Sequence, residues 1–225
     1  MTAFRAWFIT GTDTEIGKTF AACALIHAAR ARGHSALGMK PVAAGTEVID
    51  GRTINEDAAR LLAAGSFDPG YERLNPYCLR APVAPHIAAR QEDIQIDLTR
   101  IRQAFSELQQ RCERLFVEGA GGFLAPLGER LDASQIAREL DLPIILVVGM
   151  RLGCINHALL TAEAIAARGL KLAGWIANCL QPDMPCLNEN KDFLHNRVDA
   201  PLLGALPYAS GAPPATLAHL ITLPD

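Results

Sequence analysis

Phe8-Ile9-Thr10-Gly11-Thr12-Asp13-Thr14-Glu15-Ile16-Gly17-Lys18-Thr19 is the stretch whose reading decides the fold. An apolar run precedes it, and an Ala-, Leu- and Ile-rich pattern with helical spacing follows. Strand, Gly-containing turn, Gly-Lys-Thr and helix form the setting of a phosphate-binding loop. In such a loop the backbone N–H groups of the turn and of the helix N-terminus point at one anion, and the helix dipole focuses partial positive charge there. Lys18 would reach the β- and γ-phosphates, and the Thr19 hydroxyl would hold Mg²⁺. The usual spacing places the first glycine five residues before Gly17; this chain has Thr12 there and Gly11 one place further out. The alternative is a Gly-containing β–α turn that binds nothing. The strand before and the helix after favour a nucleotide.

The helix after the loop runs from about Gly17 to Arg32, and Gly33 ends it. Ser35 to Met39 reads as a short buried strand that delivers Lys40-Pro41 at its carboxyl end. Ligands gather at that edge of open α/β sheets, so Lys40 is either a solvated strand-end lysine or a member of the same site as the phosphate loop. Val42 to Asn55 reads as loop. Glu56-Asp57 opens a helix to about Ala64, where the acidic pair caps the helix dipole. A carboxylate there that also reached the phosphate loop would be a metal ligand, because Mg²⁺ takes one or two carboxylates plus phosphate oxygens. Four prolines between Asp68 and Ala89 (Pro69, Pro76, Pro82, Pro85) point to irregular connection with short extended pieces. His86 lies at the start of an Ala-rich helical pattern, where a structural role is the commoner one.

Leu115-Phe116-Val117-Glu118-Gly119-Ala120-Gly121-Gly122 is the second informative stretch. An apolar strand ending in one acidic residue is the Walker B pattern, in which the carboxylate coordinates or positions Mg²⁺. The glycines after it let backbone pass close to a ligand. Further on, Pro143 to Val148 is an unalternating apolar run, as in a strand buried on both faces. Gly153-Cys154-Ile155-Asn156 then opens a long helix, a second strand–turn–helix whose free N–H groups suit an anion; a plain β–α connection fits equally well. Leu172 to Asn178 is another buried strand, and the Asn178 amide offers the donor–acceptor pair that reads the N6/N7 edge of adenine. Gln181 to Asn190 reads as loop, Lys191 to Val198 as helix and Pro201 to Leu206 as a last strand. Strands alternating with helices imply an α/β fold: a doubly wound, mostly parallel sheet with helices on both faces.

Composition sets the outer limits. The 225 residues fit one domain spanning 1–225. Half are hydrophobic and 20% charged, which suits a soluble protein with a proper core. A net charge of −3 gives no electrostatic footprint for nucleic acid. No apolar stretch approaches the ~20 residues that span a bilayer, and Met1 to Trp7 run straight into a strand without room for a signal peptide. The six cysteines (Cys23, Cys78, Cys112, Cys154, Cys179, Cys186) form no CxxC pair. They read as reduced thiols of a cytoplasmic protein.

Taken together, Gly11 to Thr19, Lys40-Pro41-Val42-Ala43, Asn75-Pro76-Tyr77, Pro85-His86, Val117 to Gly122, Leu152 to His157 and Gly174 to Asn178 resemble the dethiobiotin synthetases, P-loop-type ligases of biotin biosynthesis. The resemblance covers nearly the whole chain. It implies that ATP and CO₂ convert 7,8-diaminononanoate into the cyclic urea of dethiobiotin, with ADP and phosphate released. By that resemblance, Lys40 and Lys18 are the catalytic lysines and Thr19, Asp57 and Glu118 hold Mg²⁺. Thr14, Glu15, Ile16, Gly17, Lys18, Thr19 and Phe20 wrap the phosphates beside Gly119, Ala120 and Gly121. Asn178 reads adenine, while Pro207, Tyr208 and Ala209 lie beside the nucleotide. Thr12, Lys40, Ala44 and the helix start Gly153, Cys154, Ile155 and Asn156 contact the diamine, the last four across the interface of a homodimer. Two positions depart from the family pattern: Ala44 stands where serine is frequent, and Cys179 where an acidic residue is frequent. Chromosome-partitioning and septum-site ATPases share the fold but carry a signature lysine at the place of Asp13. A related amide-forming synthetase would need a glutaminase domain, for which this chain has no length.

Overall fold

The structure, a computed structural model, describes residues 4–49, 51–208 and 211–224, without the side chains at positions 49 and 52. Six strands form one sheet: β1 (Arg5–Gly11), β2 (Ala36–Met39), β7 (Arg114–Glu118), β8 (Ile144–Met150), β9 (Leu172–Cys179) and β10 (Leu202–Leu206). Their spatial order is β2-β7-β1-β8-β9-β10, and every pairing is parallel. All residues of β7 and β8 are buried, which is why those segments read as apolar runs without alternation. Trp7 on β1 stacks on Phe116 of β7 at 5.3 Å between centroids, tying the two central strands together on one face.

Helices cover both faces, and each begins where its sequence supplies a start. Helix α1 (Lys18–Ala31) follows Gly17, and α2 (Glu56–Ala64) follows Asn55, whose side chain accepts from the Ala58 N–H. Short α3 (Tyr71–Leu74) and α4 (Pro85–Gln91) precede α5 (Leu98–Gln109), which the Asp97 side chain caps through the Thr99 N–H. A capping box between Asp132 and Gln135 opens α6 (Ala133–Glu139). Helix α7 (Cys154–Ala167) follows Gly153, and α8 (Leu187–Arg197) and α9 (Pro214–Leu217) complete the set. All six cysteines are free, as expected, and burial pushes the Cys23 and Cys112 thiols up to about 12.

Two segments differ from the sequence expectation. Val42 to Asn55 is not loop throughout: it holds β3 (Val42–Ala44), β4 (Glu47–Ile49) and β5 (Arg52–Ile54). Strand β3 pairs in parallel with β6 (Tyr77–Leu79), while β4 and β5 form an antiparallel hairpin. Runs of three residues are too short to show a periodicity, and their pairing depends on partners elsewhere in the chain. Helix α8 also begins at Leu187, inside the segment read as loop, because a helix this exposed carries little apolar pattern.

The strand order sets the position of the site. After β1 the chain moves two places to β2, β7 later fills the gap, and β8 lies on the other side of β1. The carboxyl ends of β1, β2 and β7 therefore face one crevice at the point where the winding reverses, where α/β sheets bind their ligands.

Candidate active site

The loop from Thr12 to Gly17 joins β1 to α1. Gly17, at φ +81°, is the helix N-cap, and no side chain caps the first turn, so the helix N–H groups remain for a ligand. A Cβ on Gly17 would lie 2.2 Å from Asn178 Nδ2, so the position needs glycine for space as well as for its left-handed backbone. Glu15 also adopts a left-handed conformation, at φ 58°, a strain typical of functional loops. The Ile16 side chain lies beneath the loop against Gly11 and Gly149, filling the room those glycines leave.

Parallel register places the charged groups. Met39 pairs with Val117, so the residues that follow them, Lys40 and Glu118, emerge side by side. Lys40 Nζ donates to Glu118 Oε1 at 2.6 Å and to Asp57 Oδ2 at 3.0 Å, and lies 3.5 Å from the Gly119 carbonyl oxygen. Thr19 Oγ1 donates to the same Glu118 oxygen at 2.7 Å. Lys18 Nζ folds back over the loop and donates to the Asp13 carbonyl at 2.7 Å. Lys18, Thr19, Lys40 and Glu118 are all buried, and Glu118 is fully enclosed.

Burial of this much charge is tolerable only because the charges compensate each other. Burial lowers the Lys18 pKa to about 8, and the neighbouring Lys40 ammonium pushes in the same direction. For Lys40 burial acts downward too, but the carboxylates of Glu118 and Asp57 outweigh it and leave the ammonium held above its usual range. Burial raises the Asp57 pKa, and Lys40 and Lys18 outweigh it so that the carboxyl ends below its usual value. The Glu118 Oε2 atom is buried with no hydrogen-bond partner. An anionic oxygen without a donor at 0% exposure is a costly arrangement. Together with the Thr19 hydroxyl and the Asp57 carboxylate it makes an all-oxygen donor set of the kind that suits Mg²⁺.

The remaining expected residues fall into two groups. Asn178, at the end of β9, donates through Nδ2 to the Ile16 carbonyl at 2.8 Å, so one of its amide hydrogens already holds the phosphate loop. Gly121 faces Thr14, and Phe20 is half-buried on α1. Pro207 and Tyr208 are exposed beyond β10, and Ala209 lies outside the described residues. Thr12 lines a groove of about 340 Å³ with Gly122, Phe123, Leu160 and Thr161. Ala44 ends β3, and the next residue, Gly45, accepts a hydrogen bond from Asn55 Nδ2 at 2.7 Å. Gly153 to Asn156 start α7 and make no hydrogen bond to the charged cluster among the described residues. An ion pair, Arg151 Nη2 to Asp13 Oδ2 at 2.5 Å, ties the two loops together. Neither that pair nor the hydrogen bond that Asn75 Nδ2 donates to the Lys40 carbonyl at 2.6 Å emerged from the sequence reading. The signal for the second was there, in an amide side chain directly before a proline that cannot donate.

A buried lysine and threonine at a Gly-capped helix start, with a strand-end carboxylate behind them, define the class: a P-loop nucleoside-triphosphate-utilising fold. A family model described as an AAA domain matches residues 5–215. Among solved structures, the septum site-determining protein MinD of Pyrococcus horikoshii superposes with a TM-score of 0.58 at 17% identity, covering 97% of this chain and 87% of that one. A ParA family ATPase from Chlorobium tepidum does so at 0.56 and 12% identity, covering 93% and 86%. Both are likenesses of fold. In sequence the chain is 64% identical over 224 residues to the ATP-dependent dethiobiotin synthetase BioD of Aromatoleum aromaticum, with 100% of each covered. It is 51% identical over 219 residues to the protein of the same name from Xanthomonas axonopodis pv. citri, covering 97% of this chain and 98% of that one. The chain belongs to the ATP-dependent dethiobiotin synthetase family.

Proposed function

We infer that this chain is the ATP-dependent ligase that carboxylates 7,8-diaminononanoate with CO₂ and closes the ureido ring of dethiobiotin. The observation that carries the reading is the buried cluster of Lys40, Glu118, Thr19 and Asp57 at the mouth of the phosphate loop. One amine of the substrate attacks CO₂ through its lone pair and loses a proton, giving a carbamate. A carbamate oxygen then attacks the γ-phosphorus of ATP, the bond to the β-phosphate bridge breaks, and ADP leaves. The second amine attacks the activated carbonyl carbon and loses a proton to the departing phosphate, whose bond to that carbon breaks as the ring closes.

Phosphoryl transfer asks a protein for alignment and charge neutralisation more than for covalent help. Lys18 serves the β- and γ-phosphates. Lys40, held by the Asp57 and Glu118 carboxylates, binds the carbamate and the charge that develops on the transferred group. The loop from Thr14 to Phe20 wraps the phosphates, with Gly119 to Gly121 opposite. Asn178 and the segment Pro207 to Ala209 take the adenine end. Thr12, Ala44 and, from a second copy, Gly153 to Asn156 contact the diamine. A Mg²⁺ ion on Thr19, Asp57 and Glu118 supplies charge neutralisation of the triphosphate; the unpartnered Glu118 Oε2 supports that assignment.

We read residues 1–225 as one domain acting as a cytoplasmic homodimer. Exposed Leu124 and Leu160, which line one groove, and Leu152, 98% exposed just before the start of α7, support the dimer as apolar surface a partner could cover. No helix among the described residues is long and apolar enough to cross a membrane. Incubation with diaminononanoate, bicarbonate and MgATP should yield the cyclic urea by mass, together with ADP and phosphate. Hydrolysis of ATP without urea formation would reject the reading.

A further inference from the structure

Lys40 stands at the end of β2, where its strand leaves the main sheet and turns towards β3. A catalytic side chain there is only as well placed as the backbone beneath it. The Lys40 N–H donates to the Leu74 carbonyl at 2.8 Å, and the Tyr77 N–H donates to the Pro41 carbonyl at 3.1 Å. Continued as a parallel ladder, the first of these bonds would be followed by the N–H of residue 76 donating to the Lys40 carbonyl. Residue 76 is proline and has no N–H. The missing bond comes from a side chain: Asn75 Nδ2 donates to the Lys40 carbonyl at 2.6 Å and to the Tyr77 carbonyl at 3.1 Å.

Asn75 is only 3% exposed, and its own Oδ1 is buried with no hydrogen-bond partner. A buried acceptor left unpaired costs free energy that an apolar side chain would avoid. The amide is therefore not there for packing alone: one of its side-chain hydrogen bonds holds the Lys40 carbonyl, and the other holds Tyr77, whose own N–H donates to the next carbonyl along, that of Pro41.

We propose that Asn75 is a positioning residue that fixes the backbone of Lys40, and through it the reach of the Lys40 ammonium towards substrate. This rests on the role given to Lys40 above and adds to it the group that sets its geometry. Asn75 touches no reacting atom; its action passes through the Lys40 carbonyl.

The test is a double-mutant cycle read as the calorimetric Kd for the diamine with bicarbonate present, which needs no turnover. Asn75→Asp keeps the shape of the side chain, removes both donors and turns an acceptor towards the Lys40 carbonyl. In the otherwise unchanged protein it should weaken diamine binding about tenfold, the scale of a lost buried hydrogen bond. In a Lys40→Ala background it should cost less than about twofold, because residues acting as one unit are not additive. ATP affinity should stay within about twofold in both, since the phosphate loop is untouched. Equal losses with and without Lys40, or no loss at all, would overturn the proposal while leaving Lys40 in place. If Lys40→Ala alone left both diamine binding and kcat at wild-type values, the role of Lys40 would fail and the clamp with it. Should Asn75→Asp not fold, Asn75→Ala and Asn75→Ala/Pro76→Ala carry the test. Restoring a backbone N–H at position 76 should recover most of the diamine affinity, and failure to recover any would reject the clamp.

Discussion

The chain contains two strand–turn–helix junctions of nearly the same backbone design. One joins β1 to α1 through Gly17, the other joins β8 to α7 through Gly153. Both glycines are left-handed N-caps, at φ +81° and +92°, and neither helix has a side-chain cap. Their surroundings differ completely. Behind Gly17 stand two buried lysines, a buried threonine and a fully enclosed glutamate. Beside Gly153 stand Leu152, almost wholly exposed, and Arg151, whose charge is spent on Asp13. An uncapped helix start is thus a common feature that becomes a phosphate site only where the sheet register delivers compensated charge beneath it.

The largest effect that would break this contrast is on Lys18. Lys18→Met should lower kcat by about 10²–10³-fold, the usual cost of removing one preorganised charge from a transition state. A steady-state rate close to wild type would place the junction at Gly17 on a level with the other. Next come the two glycines. Gly17→Ala combines left-handed strain with a collision against Asn178 and should cost about 3 kcal/mol in urea denaturation, whereas Gly153→Ala meets open space and should cost about 1 kcal/mol. Equal losses would mean that Asn178 yields freely. Glu118→Gln and Asp57→Asn should each raise the Mg²⁺ concentration for half-maximal rate about tenfold; unchanged titrations would reduce the carboxylates to partners of Lys40.

The depressed Lys18 gives a smaller, pH-dependent effect. Its folded pKa lies below the unfolded value of 10.5, so below about pH 8 both states bind the proton and the folded state bears the full penalty. Between about 8 and 10.5 the unfolded chain binds more protons, and the ligand-free protein should gain stability, by no more than about 3 kcal/mol. Binding ATP brings anionic oxygens to Lys18 and should draw in about half a proton at pH 8, measurable by calorimetry in buffers of different ionisation enthalpy. No uptake would mean that the lysine is already charged without nucleotide. The smallest effect belongs to Arg151→Ala, where both partners of the ion pair are nearly half exposed: below about 0.5 kcal/mol in thermal unfolding.

The sequence was most readable where one local pattern carried both structure and chemistry. Gly17-Lys18-Thr19 and the run ending in Glu118 each announce a strand, a turn and a charged group at once, and the structure brings them within hydrogen-bond reach. Asp57 was harder. Its place at the start of α2 is all that a helix cap needs, and only the fold shows that Lys40 lies 3.0 Å away. The short strands β3 to β6 and the work of Asn75 were not legible, because they depend on pairing between segments far apart in the chain. The two prolines Pro41 and Pro76 were visible, but not that they stand at the same level of one ladder.

The placing of β1 between β7 and β8 also bears on how the molecule comes into being. Ile9 pairs with Glu118, so the phosphate loop and its carboxylate lie on the order of a hundred residues apart in the chain, a separation that slows folding. A nascent chain emerging from the ribosome holds a complete Gly-Lys-Thr turn long before the strand that neutralises it has been made. On that order of events nucleotide capture should follow synthesis of β7, half-way along the chain, with ATP a ligand of the assembled sheet rather than a template for its assembly.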